Sequence, residues 1–134
     1  MRVWLYARLS NDDDREMNSL LNQREICQAF AEQHGYTIVG QSFDDNISGM
    51  SFDRRGLDEL MAAVDADKID AVIVKDLSRL GRHRTQTALF IDYLRERQVR
   101  VISATEGVDT FRDEDDLIIG VRGLMNDYYA KDIG

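Results

Sequence analysis

The spacing of apolar residues along this chain switches repeatedly between strand and helix periods, and the switches mark the elements. Arg2–Arg8 reads as a strand, and from Ser19 to His34 the spacing lengthens to that of a helix. There Leu20, Ile26, Cys27, Phe30 and Ala31 form one stripe, with Gly35 placed to terminate it. Tyr36–Phe43 reads as a second strand and Gly49–Asp53 as a loop. Gly56–Asp65 reads as a short helix for which Asp53 is the candidate N-cap. The unbroken run "DAVIVK" (70–75) suits a central strand covered on both faces. Thr85–Gln98 has Ala88, Leu89, Ile91 and Leu94 in helical period, and Arg100–Ala104 is a fourth strand. From about Asp115 the residues Leu117, Ile118, Val121, Leu124, Met125, Tyr128 and Tyr129 recur at three and four, predicting a last helix.

Strands that alternate with helices predict an α/β fold: a mostly parallel open sheet of about four to five strands, flanked by helices and joined by right-handed crossovers. At 134 residues, with no repeat, no low-complexity tract and no proline, the chain suits one compact domain. The last helix has a wide apolar face and reaches Gly134 without a stop signal. It either docks on its own core, continues in a longer parent chain, or packs on another subunit.

Composition narrows the function. Hydrophobic residues at 43% and charged residues at 31% favour a globular domain over a disordered one. No stretch approaches the roughly 18 apolar residues of a membrane span, and the N-terminus starts a strand rather than a signal peptide, so a cytoplasmic, membrane-free protein is expected. Cys27, the only cysteine, excludes an internal disulfide and reads as a packing residue. The net charge of −8 argues against a surface built for non-specific DNA binding. The charge is uneven, however: eight arginines lie between Arg54 and Arg100, while "NDDD" (11–14) and "RDEDD" (112–116) hold much of the acid.

The candidate chemistry begins where the first strand runs out. Tyr6, Arg8 and Ser10 are alternate residues and project to one side. In an open parallel sheet, ligands sit beyond the carboxyl ends of strands, where strand order reverses. If the first and third strands are neighbours there, Ser10 lies beside "DLSRLGR" (76–82), which brings Arg79 and Arg82. Three guanidiniums around one hydroxyl repel one another unless an anion joins them, and each planar fork suits two phosphate oxygens. A phosphoryl group attacked by Ser10 accounts for the cluster. Singly, each residue has an ordinary alternative: Ser10 as a turn cap, Arg79 and Arg82 as solvated loop charges. No His, Cys or carboxylate cluster with metal-ligand spacing accompanies them, which favours metal-free chemistry. "DNISGMSFDRRGL" (45–57) adds Asp45, Ser48, Gly49 and Arg54 after the second strand.

Taken together, "YARLS" (6–10), "DNISGMSFDRRGL" (45–57) and "SRLGR" (78–82) resemble, in order and spacing, the catalytic domain of serine site-specific recombinases, the resolvase and invertase family. The acidic insertion after Ser10 and the wording "VKDLSRLGR" (74–82) look most like its large, transposon-type members. The resemblance implies that Ser10 attacks a DNA phosphodiester and becomes joined to the 5′ phosphate, leaving a free 3′ hydroxyl. Strands are then exchanged within a tetramer and religated, with no metal or nucleotide cofactor. Arg8, Arg79 and Arg82 match the arginines that cradle the scissile phosphate, and Arg54 a further active-site arginine. Tyr6, Asp45 and Ser48 match supporting positions, and Gln23, in "SLLNQR" (19–24), a glutamine near the nucleophile.

The chain departs from the family pattern in two ways. Ser78 stands where smaller members have Asp, and Asp76, two residues earlier, is expected to orient Arg79 or Ser10 in its place. Residues 1–134 would make up only the catalytic domain, cut within its C-terminal helix and lacking the DNA-binding domains that supply most of the affinity. That reconciles the acidic charge, with DNA and a homodimer or homotetramer as partners of the full-length protein. Two alternatives remain open on the residues alone. One is a receiver-like signalling domain, which shares the α/β alternation, the acidic run after the first strand and Asp76 at the end of the third, but lacks an evident fifth strand ending in Lys. The other is a catalytically latent assembly module. "NDDD" reads as a solvated loop, His34 as a partner of its own helix's carbonyls, His83 as a lesser proton-transfer candidate, and Trp4 as core.

Overall fold

The computed structural model describes residues 1–9, 19–45, 54–80 and 84–111. Its elements are β1 (Arg2–Leu9), α1 (Leu20–Gln33), β2 (Thr37–Asp45), α2 (Arg55–Asp65), β3 (Ala71–Val74), a 3-10 turn (Leu77–Leu80), α3 (Arg84–Glu96), β4 (Arg100–Ser103) and β5 (Val108–Asp109). The sheet order is β2-β1-β3-β4-β5, parallel throughout except for the short antiparallel β5. The α/β reading holds, and β1 and β3 are the neighbours that the site argument required. The predicted helix from about Asp115 lies outside the described residues.

Helices cover both faces. Leu60, Val64, Ile91 and Leu94 of α2 and α3 pack with Tyr6, Val72, Val74 and Val101 on one side of the sheet. Cys27 and Ala31 of α1 pack with Val3, Leu5, Ile73 and Ile102 on the other. This is why "DAVIVK" is continuously apolar: all four residues of β3 are buried, on whichever face they project. Ser19 caps α1, its Oγ accepting from the Asn22 amide at 3.0 Å. Gly35, at φ +70°, supplies the left-handed residue that ends it. His34 behaves as expected, its Nδ1 lying 2.9 Å from the Phe30 carbonyl.

Four expectations change. The α3 stripe is Thr87, Ile91 and Leu94, and Leu89 is 65% exposed, because i, i+4, i+7 rather than the Leu89 position faces the sheet. In α1 the buried stripe is Gln23, Cys27 and Ala31, with a polar residue in its first position. The N-cap of α2 is Arg54 rather than Asp53, and Arg54 makes no side-chain cap bond. The caps come instead from β2: Asp44 accepts from the Gly56 amide at 2.6 Å and the Leu57 amide at 2.9 Å. Lastly, β2 runs two residues past Phe43, which carries Asp44 and Asp45 into the sheet.

Two glycines make the β1–β2–α2 junction possible. The β1–β2 register slips after Val3, so Trp4 lies opposite Gly40. A Cβ on Gly40 would stand 2.2 Å from the Trp4 ring. The indole thereby lies flat against β2 and its Nε1 donates to Ser42 Oγ at 2.9 Å, consistent with Trp4 as core. On Gly56 a Cβ would stand 2.3 Å from the Phe43 carbonyl oxygen.

Candidate active site

Strand order reverses between β1 and β3, and both carboxyl ends point to the same edge of the sheet. The β1–β3 ladder stops at Leu5↔Ile73, so β1 overshoots its neighbour. Backbone groups beyond that point need other partners. At Arg8, Gln23 of α1 supplies two: its Oε1 accepts from the Arg8 amide at 3.1 Å, and its Nε2 donates to the Arg8 carbonyl at 2.9 Å. That explains a glutamine in the apolar stripe of α1, buried without exposure. The Arg8 carbonyl also accepts from Arg79 Nη1 at 2.8 Å. One strand-end peptide is thus held from both sides of the sheet.

The two guanidiniums interlock across the switch point. Arg8 Nη2 donates to the Ser78 carbonyl at 2.5 Å, while Arg79 reaches back to the Arg8 carbonyl. Both are buried, 9% and 6% exposed, which is unusual for arginine and costly without specific bonds. Asp76 organises the turn between them. Its Oδ1 accepts from the Ser78 amide at 3.1 Å and from Arg79 Nε at 3.3 Å, and also from the Ser78 hydroxyl. Asp76 therefore touches Arg79, and Ser78 is tied to it.

Tyr6 belongs to the same face but does different work. Its ring is core and its hydroxyl donates to Asp44 Oδ2 at 2.6 Å, which makes Asp44, 1% exposed, the junction of β1, β2 and α2. Asp45 ends β2 opposite Leu9 and is exposed. The inward carboxylate was legible only from the register of Ser42 and Asp44, alternate residues that both turn in. Arg54 stands exposed at the head of α2. Ser10, Arg82 and Ser48, with Gly49, His83 and the "NDDD" run, lie outside the described residues. The structure thus brings together Arg8, Arg79, Gln23, Asp76 and Ser78, with Tyr6 one layer beneath.

A separate cleft of about 580 Å3 opens at the β2 edge between Leu20, Leu21, Phe43 and Glu59. Gln23 and Tyr6 line it, but Arg8 and Arg79 do not. Cys27 borders the cleft and is not a nucleophile there. Burial, then the nearby Asp76 charge, push its thiol up to about 12, with Lys75 opposing. A thiol raised from 9.0 contributes stability that is complete below about pH 9 and is lost as pH rises towards 12. The stability difference between the protein and Cys27→Ala, read from urea midpoints, is expected to stay flat up to about pH 9 and shrink above it. A difference independent of pH to about 10.5 would contradict this.

Against known proteins, residues 3–134 match the family model "Resolvase, N terminal domain". The chain belongs to the resolvase family. It is 31% identical over 105 residues to the serine recombinase gin of Escherichia phage Mu, covering 78% of this chain and 48% of that protein. It is 29% identical over 121 residues to the Tn3 transposon resolvase of Escherichia coli, covering 90% and 60%. The chain therefore spans about half the length of these curated relatives. A resolvase family site-specific recombinase from Streptococcus pneumoniae superposes with a TM-score of 0.78 at 28% identity, over 99% of this chain and 90% of that one. The N-terminal catalytic domain of TP901-1 integrase shares the fold, with a TM-score of 0.79 at 23% identity and 98% coverage of each. Membership of this family sets aside the receiver-like alternative.

Proposed function

We propose that the domain breaks and rejoins DNA through Ser10. The Ser10 oxygen attacks the scissile phosphorus, an Oγ–P bond forms, and the P–O3′ bond breaks. The 3′ oxygen leaves with a proton as a free hydroxyl, and the 5′ phosphate remains on the serine. Attack by a 3′ hydroxyl of the exchanged strand reverses these changes and releases Ser10. No bond energy is lost, so religation needs no nucleotide. Arg8, Arg79 and Arg82 bind the non-bridging oxygens, and Arg54 adds charge from the head of α2. Gln23, Asp76 and Ser78 hold the arginines, Tyr6 supports the strand beneath them, and Asp45, at the end of β2, and Ser48 are supporting positions.

The observation that carries this reading is the pair of buried guanidiniums interlocked at the carboxyl ends of β1 and β3, one of which, Arg8, stands two residues before Ser10 in the sequence. Guanidiniums held in place in this way suit an anion, and a hydroxyl follows Arg8 two positions on in the sequence. Relatives named as recombinases and invertases support DNA as the substrate. In this reading affinity for DNA and assembly into dimers and tetramers come mainly from chain outside residues 1–134, consistent with the net charge of −8.

The test uses full-length protein and a DNA substrate nicked near the crossover, so that cleavage is trapped. A covalent protein–DNA band is expected on a denaturing gel with wild type and none with Ser10→Ala. A Ser10→Ala variant that still forms the band would overturn the assignment.

A further inference from the structure

The 3-10 turn that carries Arg79 is short, and its first amides have no partner within the turn. Their bonds can be traced completely. The Arg79 amide goes to the Asp76 carbonyl at 3.2 Å, and the Ser78 amide to the Asp76 carboxylate. The Leu77 amide goes to Glu106 Oε1 at 3.0 Å, a carboxylate from the β4–β5 hairpin 29 residues away. The same Oε1 accepts from Ser103 Oγ at 2.6 Å, so the Glu106 side chain is fixed at its own end too. Beside it the Lys75 carbonyl accepts from the Thr105 amide at 3.0 Å and from Thr105 Oγ1 at 2.7 Å. Residues 103–106 therefore clasp residues 75–77 at the point where β3 becomes the arginine-bearing turn.

We propose that Glu106 is a positioning residue for the arginine pair. It touches neither guanidinium. It fixes the Leu77 amide, Leu77 begins the turn, and the turn sets both the Arg79 fork and the Ser78 carbonyl that receives Arg8. Without Glu106, the described hydrogen bonds to the first amides of the turn would come from Asp76 alone, whose Oδ1 already serves three donors. Nothing in the "SATEG" segment (103–107) suggests a link to the site, because the contact spans two strands. The consequence for recombination rests on the Ser10 reading above, and the position of the turn does not.

The experiment compares wild type, Glu106→Ala and Glu106→Gln in the full-length protein. Covalent-adduct formation in a single turnover, equilibrium DNA binding, thermal midpoint and amide exchange at Leu77 are measured on each. Glu106→Ala is expected to form adduct about tenfold more slowly, the scale of one lost charge-assisted hydrogen bond, and to exchange the Leu77 amide faster by a similar factor. Its DNA dissociation constant stays within about twofold, because phosphate contacts elsewhere are untouched. Glu106→Gln keeps an acceptor oxygen and is expected to restore both rates to within about threefold of wild type. Unchanged Leu77 exchange in Glu106→Ala would overturn the clasp. Wild-type adduct formation with fast Leu77 exchange, or a Gln variant as slow as Ala with Leu77 protected, would overturn the positioning role. If wild type forms no adduct at all, the Ser10 reading fails. Leu77 exchange and the Arg79 Nε–Hε resonance in Glu106→Ala then still decide whether the clasp orders the turn.

Discussion

Arg79→Lys is expected to slow covalent cleavage by about 10²–10³-fold, the usual scale for removing one pre-arranged donor from a developing oxyanion. Charge is conserved in this variant, so the loss isolates geometry. The guanidinium spans two anchors at once, with Nε on Asp76 at 3.3 Å and Nη1 on the Arg8 carbonyl at 2.8 Å. An ammonium is a compact point charge whose three donors cannot copy that planar fork. It also leaves the buried Arg8 carbonyl with Gln23 as its remaining described partner, loosening the strand end before Ser10. DNA affinity should fall far less than the rate, since most of it is expected to arise from contacts outside this pair. Because each guanidinium is anchored on a backbone carbonyl at the other's end of the interlock, Arg8→Lys combined with Arg79→Lys should cost less than the sum of the two singles. Additive losses in single-turnover cleavage would show that the arginines act independently.

Gly56→Ala is expected to be the most damaging single-methyl change to stability, at about 3 kcal/mol, the upper range for overpacking combined with strained hydrogen bonds. The added Cβ would meet backbone, with the Phe43 oxygen at 2.3 Å, its carbonyl carbon at 2.5 Å and its nitrogen at 2.8 Å. No side chain can rotate away, so the head of α2 must lift from β2. That lift strains the Asp44 bonds to the Gly56 and Leu57 amides and the Ser42 bond to the Gly56 carbonyl, which measures 2.7 Å. For a domain of this size the thermal midpoint should drop by on the order of 10 °C. A drop of less than about 2 °C would mean that α2 docks on β2 differently. Since Arg54 stands at the head of α2, the same variant should also impair cleavage beyond its effect on folding.

The alternation of periods made the α/β order legible, because each helix and strand has one apolar side that must be covered. The boundaries of α1 were readable for a local reason: Ser19 and Gly35 do their capping through their own backbone and side chain. The cap of α2 was not readable, because it is supplied across space by Asp44, 12 residues before Gly56. Arg8 and Arg79 were placed together by topology alone, once β1 and β3 were taken as neighbours. Gln23 was found only through the family resemblance. Its physical role, replacing the ladder that β3 stops supplying after Ile73, depends on strand lengths no periodicity reveals. Glu106 was invisible for the same reason, being a long-range partner of one backbone amide.

The central claim is that Ser10, two residues after the buried Arg8, becomes the covalent link to DNA. The most direct test is peptide mapping of the trapped adduct. Trypsin cutting after Arg8 and Arg15 releases "LSNDDDR" (9–15), in which Ser10 is the only hydroxyl-bearing residue. After nuclease trimming, that peptide is expected to carry a nucleotide through its 5′ phosphate, in EDTA as well as in magnesium buffer. A nucleotide on any other peptide, or one attached through a 3′ phosphate, would contradict the account.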